Sequence, residues 1–150
     1  MRGPGPGPTV ADRTGPPPVA LPPVALPERA RLLFDAVNHV TVATIDPGGR
    51  PQQSVVWATT DGDTVLFSTI KGRRKHANLL RDPRASALVF DRADPYVYAE
   101  VRGSVTISDD PEGELIERLA RKYTGQPFGI RPGEQRVAVR LVPHRVVVYD

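Results

Sequence analysis

The chain has 150 residues, with 20 lysines and arginines against 17 aspartates and glutamates, and no cysteine. That length suits one domain with a real core, and the lack of cysteine excludes disulfides, thiolate metal ligands, iron–sulfur clusters and cysteine nucleophiles. The net charge of +3 is unevenly spread: the stretch Ser68–Arg84 holds Lys71, Arg73, Arg74, Lys75, Arg81 and Arg84 against Asp82 alone, so the rest of the chain is slightly acidic. One basic element on a near-neutral body points to a discrete anionic ligand rather than to nucleic acid, which would need an extended basic stripe with stacking aromatics.

The first 26 residues contain eight of the seventeen prolines, and we read 1–26 as a disordered Pro/Gly-rich tail ahead of a single domain over 27–150. Prolines interrupt every apolar run there, and no segment supplies the ~20 apolar residues of a membrane span, so no membrane partner and a cytoplasmic location are expected. Pro27 suits the first turn of a helix reaching about Asn38, with Leu26, Ala30, Leu33 and Val37 as its apolar stripe. His39–Ile45 is β-branched and predicts a strand. The turn residues Asp46-Pro47-Gly48-Gly49 follow. A second strand is expected from Pro51 to about Thr60 and a third from Thr64 to Thr69 across Asp61-Gly62-Asp63, giving a three-strand antiparallel meander.

The basic helix comes next and should stop at Asp82, since Pro83 cannot continue it. Its N-terminus would offer free N–H groups and about half a positive charge to an anion, with Ser68, Thr69, Gly72, Arg73 and Lys75 around it. A fourth strand over Arg84–Asp91 and a fifth over Tyr96–Ile107 are expected. Asp110-Pro111 should cap and open a helix to about Thr124, with Leu115, Leu119 and Tyr123 facing inward. The last segment, Arg136–Tyr149, reads as a long strand bent at Pro143. The fold class is therefore mainly β (α+β): a barrel of about six antiparallel strands with short flanking helices. No G-x-G-x-x-G or Walker loop occurs. The histidines His39, His76 and His144 lie in different elements, so no metal site is expected.

Three motifs occur together: Gly49-Arg50-Pro51-Gln52, the R-x-K-x-x-N-L run at Arg73–Leu79, and Asp82-Pro83-Arg84-Ala85-Ser86. In this order of elements they resemble the split-barrel family of pyridoxamine 5'-phosphate oxidase-like flavoproteins, in particular the branch that uses the deazaflavin coenzyme F420. The resemblance covers about Pro27 to Asp150. It implies a split β-barrel homodimer, with the cofactor between subunits and its phosphate on the basic run at Ser68, Thr69, Ile70, Lys71, Gly72, Arg73, Arg74, Lys75 and Asn78. The cofactor ring would lie along Gln52, Ser54, Val55, Val56 and Trp57. Alternation leaves open whether Gln53, Val55 and Trp57 or Gln52, Ser54 and Val56 face inward. Tyr96, Tyr98 and His144 are the candidates to complete the pocket from the second subunit. Arg81 and Arg84 are left between a role toward tail carboxylates and ordinary surface charge.

The implied activity is hydride transfer from reduced coenzyme F420 to a small electrophilic organic substrate, with the hard chemistry carried by the cofactor. No Ser-His-Asp set or paired carboxylate is visible, and no catalytic residue is named. The alternatives are an FMN-dependent oxidase, for which the Arg-x-His pair of vitamin-B6 oxidases is missing upstream of Arg140-Leu141-Val142-Pro143, and a flavin- or F420-binding protein without turnover.

Overall fold

The structure is a computed structural model that describes residues 21–150. Most of the expected tail, residues 1–20, lies outside the described residues. The remainder already makes contacts: the Val24 N–H donates to the Pro143 carbonyl, and Leu26 is buried in the main core. Ten elements follow in chain order: α1 (Glu28–Asp35), β1 (Val40–Ile45), β2 (Pro51–Val56), β3 (Ala58–Asp61), β4 (Thr64–Ile70), α2 (Arg74–Arg81), β5 (Arg84–Phe90), β6 (Tyr98–Asp109), α3 (Glu114–Thr124) and β7 (Arg136–Tyr149).

Seven antiparallel strands form one sheet in the order β2-β1-β5-β6-β7-β4-β3. This corrects the three-strand meander. The expected second strand breaks at Trp57; its first half pairs with β1 at one edge of the sheet and its second half with β4 at the other. A single residue thus joins the two edges of the sheet, which can happen only if the sheet curls round on itself. The strand count of about six becomes seven for the same reason, and mainly-β architecture with three helices stands.

Inward positions alternate as pleating requires. Val40, Val42, Val56, Ala87, Val89, Ala99, Val101, Val137, Val139 and Leu141 fill the barrel. Because Val42 pairs with Ser54 and Val40 with Val56, the inward set on β2 is Gln52, Ser54 and Val56, while Val55 points out and is 64% exposed. Helix α1 plugs one end with Ala30, Leu33 and Phe34 buried; it stops three residues short of Asn38, so Val37 is exposed rather than part of the stripe. Helix α3 packs Leu115 and Leu119 on Leu66 outside the barrel. It starts later than Pro111 predicts: Asp110 spans an intervening turn, and its carboxylate accepts from the N–H groups of Glu114 and Leu115.

The sixth strand begins at Tyr98, not Tyr96, because Asp91 and Asp94 turn the preceding segment through side-chain bonds to the Ala93 and Tyr96 N–H groups. The register of β6 against β7 slips at Arg102/Gly103, which leaves His144 as the extra residue of a bulge beside Pro143. A Cβ on Gly103 would sit 2.0 Å from the Val142 carbonyl oxygen, so the bulge requires glycine. No helix among the described residues is long and apolar enough to cross a membrane.

Candidate cofactor site

The end of β4, the turn into α2 and the start of β7 converge because Ile70 pairs with Arg136 and Ser68 with Ala138. On the face of these strands away from the barrel, beside Trp57 and under α3, lies a cavity of about 250 Å³. Its wall includes Val55, Val56, Trp57, Ser68, Arg73 and Lys75 of the expected site, together with His39, Ile116, Phe128 and Arg136.

The turn that opens α2 is made by Gly72 at φ +94°, a conformation that glycine adopts freely, and its N–H is accepted by Nδ1 of the buried His76. Arg73 stands at the N-cap with extended backbone and no side-chain cap bond, so the first α2 amides are free to meet an anion. Lys75 is only 9% exposed, yet neither it nor Arg73 has an acidic partner among the described residues. Burial, and then the neighbouring Arg73 charge, hold the Lys75 ammonium below the usual lysine value. The Ser68 hydroxyl is buried with no hydrogen-bond partner among the described residues. Buried polar groups normally find partners, and a buried cation normally finds an anion. This set lacks both, and a phosphate oxygen supplies both. The donor set therefore fits the phosphate end of a flavin or deazaflavin.

The remaining charges of the basic run are already occupied. Lys71 pairs with Asp109 at 2.9 Å, Arg74 with Asp46 at 3.8 Å and Arg84 with Asp82 at 2.7 Å. The last pair holds the Asp82 carboxyl below the usual range, chiefly through the Arg84 hydrogen bond. Arg81 donates to the Ile45 carbonyl and to Asn78. Asn78 is 1% exposed and gives its amide to Thr44 and Asp46, tying α2 to β1 away from the cavity. Gln52 bonds Thr44 at 2.6 Å inside the barrel mouth. Ser54 and Thr69 also point inward, and their hydroxyls are buried without partners among the described residues. Ile70 and Gly72 shape the turn and do not line the cavity.

The other end of the cavity is aromatic. Trp57 stacks on Tyr123 with centroids 5.5 Å apart and an 11° interplanar angle, and meets Phe128 edge-on at 6.4 Å. Tyr123 also faces His39 at 5.8 Å and donates its hydroxyl to the Asn38 carbonyl. Burial raises the Tyr123 phenol pKa. Trp57 is therefore both wall and packing residue. His39, Phe128 and Arg136 escaped sequence reasoning. The only signal for Arg136 was its place at the head of the last strand, and its partner on β4 is fixed by register alone.

Tyr96, Tyr98 and His144 lie elsewhere on the chain. Tyr96 is 80% exposed, and Tyr98 stacks on Tyr149 at 5.4 Å and 7°. His144 lines a separate apolar cavity of about 290 Å³ with Thr44, Arg84, Ser86 and Arg102.

The described fold has counterparts of known structure. A protein solved as an F420 reductase superposes with a TM-score of 0.74 at 30% identity, over 81% of this chain and 98% of that one. A conserved hypothetical protein of Mycobacterium tuberculosis follows with a TM-score of 0.68 at 26% identity, over 85% and 86%. General stress protein 26 of Bacillus anthracis shares the fold at a TM-score of 0.65 and 15% identity, over 82% and 92%. The family model described as pyridoxamine 5'-phosphate oxidase matches residues 26–149. That match spans the whole barrel, including both edges joined at Trp57 and the strands that carry the cationic cavity; the chain belongs to the pyridoxamine 5'-phosphate oxidase family of flavin-related oxidoreductases.

Proposed function

We propose that the protein is a coenzyme F420-dependent oxidoreductase that reduces a small electrophilic organic substrate. The observation that carries this reading is the buried Lys75, which with Arg73 and the Ser68 hydroxyl lacks a partner inside the described chain. The 30% identity to a protein named F420 reductase supports the deazaflavin over other ligands. When bound, the deazaflavin supplies the hydride. The chain's own part is to hold the phosphate through Arg73, Lys75, Ser68 and the α2 N-terminus, and to keep the ring end dry against Trp57 and Phe128.

Completion of the site by a second copy of the chain is part of this proposal. The outward face of the sheet supports it: Leu88 and Phe90 of β5 and Tyr149 of β7 are large, apolar and 40–60% exposed. Register places Val55, Thr41, Leu88, Glu100 and Val147 in one row across five strands, so that apolar side chains hold three of its five positions. Light scattering of the purified chain should give twice the monomer mass.

The decisive test is a titration with coenzyme F420 and, separately, with FMN, followed by cofactor fluorescence. Micromolar F420 binding with weaker FMN binding is expected, and binding of FMN alone overturns the deazaflavin reading. Oxidation of reduced F420 by a panel of electrophilic acceptors then separates an enzyme from a carrier.

A further inference from the structure

We infer that Glu134 is a built-in counter-ion for Arg136, and that Arg136 is a third anion-reading residue of the cavity, freed when a ligand bearing a second anionic group displaces that carboxylate. The inference rests on the reading of the cavity as an anion site and names the ligands it favours: those with two or more linked anionic groups.

Arg136 is 7% exposed and lines the same cavity as Arg73 and Lys75. Its guanidinium lies against the Phe128 ring, 4.7 Å from the centroid, which fixes its plane. Backbone pairing of Lys71 N–H with the Gln135 carbonyl holds the head of β7 to the end of β4, so Arg136 cannot drift from the cavity. Unlike the two other cations of the cavity, it has an acid beside it.

The geometry of that pair is poor. Nε and Nη2 lie 3.3 and 3.2 Å from Glu134, and both approach the same oxygen, Oε2. A fork-to-fork guanidinium–carboxylate pair uses two oxygens at about 2.7–2.9 Å. Glu134 meets Arg136 with one oxygen only, whereas Asp82, at the same two-residue spacing, meets Arg84 with both. A free anionic group is not held to that one-oxygen arrangement. It can take both N–H donors along one edge while Glu134, at the edge of the loop and 17% exposed, turns to water.

Ligand selection follows. A single phosphate is met by Arg73, Lys75 and Ser68 and leaves the Glu134–Arg136 pair in place. A ligand with a second anionic group competes with Glu134 and gains Arg136 as well, at the cost of breaking a weak ion pair. Glu134 therefore lowers affinity for polyanionic ligands.

Trp57 is the only tryptophan and lines the cavity, so its emission reports occupancy without a bound cofactor. The full chain is titrated with inorganic tripolyphosphate and with inorganic phosphate. Glu134→Gln should tighten tripolyphosphate about 10-fold and phosphate less than about 3-fold. In an Arg136→Gln background the Glu134→Gln gain should vanish. Unchanged or weaker tripolyphosphate binding in Glu134→Gln, or a gain that persists without Arg136, overturns the inference. Should Glu134→Gln not fold by circular dichroism, Glu134→Asp, which keeps the charge and shortens the reach, must tighten binding in the same direction. Arg73→Ala/Lys75→Ala separates the two levels. If it abolishes tripolyphosphate binding while Glu134→Gln changes nothing, the anion site stands and the counter-ion role falls. If it changes nothing, the anion-site reading falls as well.

Discussion

The basic run contains two kinds of cation. Lys71, Arg74 and Arg84 lie at the surface, each beside a carboxylate, whereas the buried Lys75, with the exposed Arg73 beside it, opens on a cavity where neither meets an acid among the described residues. Exposed pairs gain little from their Coulomb attraction because water and salt screen it. A desolvated cation without a partner is a standing cost to the fold, and such a cost is sustained where a ligand removes it. Six like charges in one stretch of sequence therefore divide into surface and site by what surrounds each of them.

Removing the site pair should have the largest effect. Arg73→Ala/Lys75→Ala is expected to weaken F420 binding about 100-fold or more, since each charge-assisted bond contributes about 1.5–3 kcal/mol when shielded. Cofactor fluorescence measures it. A half-buried cation elsewhere sharpens the contrast. Lys122 donates to the Phe34 and Ala58 carbonyls at 2.7 and 2.6 Å, joining α3 to the end of α1 and the start of β3. Lys122→Met strands both acceptors and should cost about 1–3 kcal/mol in urea unfolding. Lys75→Met should do the opposite and stabilise the ligand-free protein by about 1 kcal/mol while removing ligand binding. Loss of stability in Lys75→Met would break the comparison.

Two pH experiments follow. Burial brings the Lys122 ammonium down to about 8. Above that pH the unfolded chain still holds the proton and the folded chain does not, so the Lys122 contribution to stability rises with pH from about 8 toward the ordinary lysine value. For Lys75, also depressed, the charged form binds the ligand. Anion affinity should fall as pH rises through its lowered pKa, with proton uptake on binding in that range seen by calorimetry in buffers of different ionisation enthalpy. The smallest effects belong to the surface set: Lys71→Ala and Arg84→Ala should each change stability by less than about 0.5 kcal/mol and leave affinity within about 3-fold.

Arg73 and Lys75 were legible in the sequence because the signals are local: a glycine to turn the chain, a basic pair two residues apart, and Asp82-Pro83 to end the helix. The strands β1 and β5 were legible for the same reason. The break at Trp57 was not. Val55-Val56-Trp57-Ala58-Thr59 has no proline or glycine and reads as one strand, so only closure of the sheet reveals two. Asn78 sat in the right motif, yet its amide serves Thr44 and Asp46, a contact across thirty-odd residues. Arg136, with Glu134 two residues before it, comes to the site through the β4–β7 register, and Phe128 through the bond of its N–H to Glu117 of α3, neither of which a local pattern encodes.

The joint at Trp57 also bears on the order of events as the chain folds. β2 can pair with β1 and β3 with β4 as neighbouring hairpins, but Phe67 of β4 must wait for Val139 of β7 before its second edge is filled. Until that late pairing, β4 carries a bare row of N–H and C=O groups. Contacts between segments so distant along the chain form slowly. On a ribosome, the cavity wall would be finished only by β7, which emerges after the other six strands of the sheet, and a nascent chain paused before Arg136 would hold Arg73 and Lys75 without the floor that makes them a site.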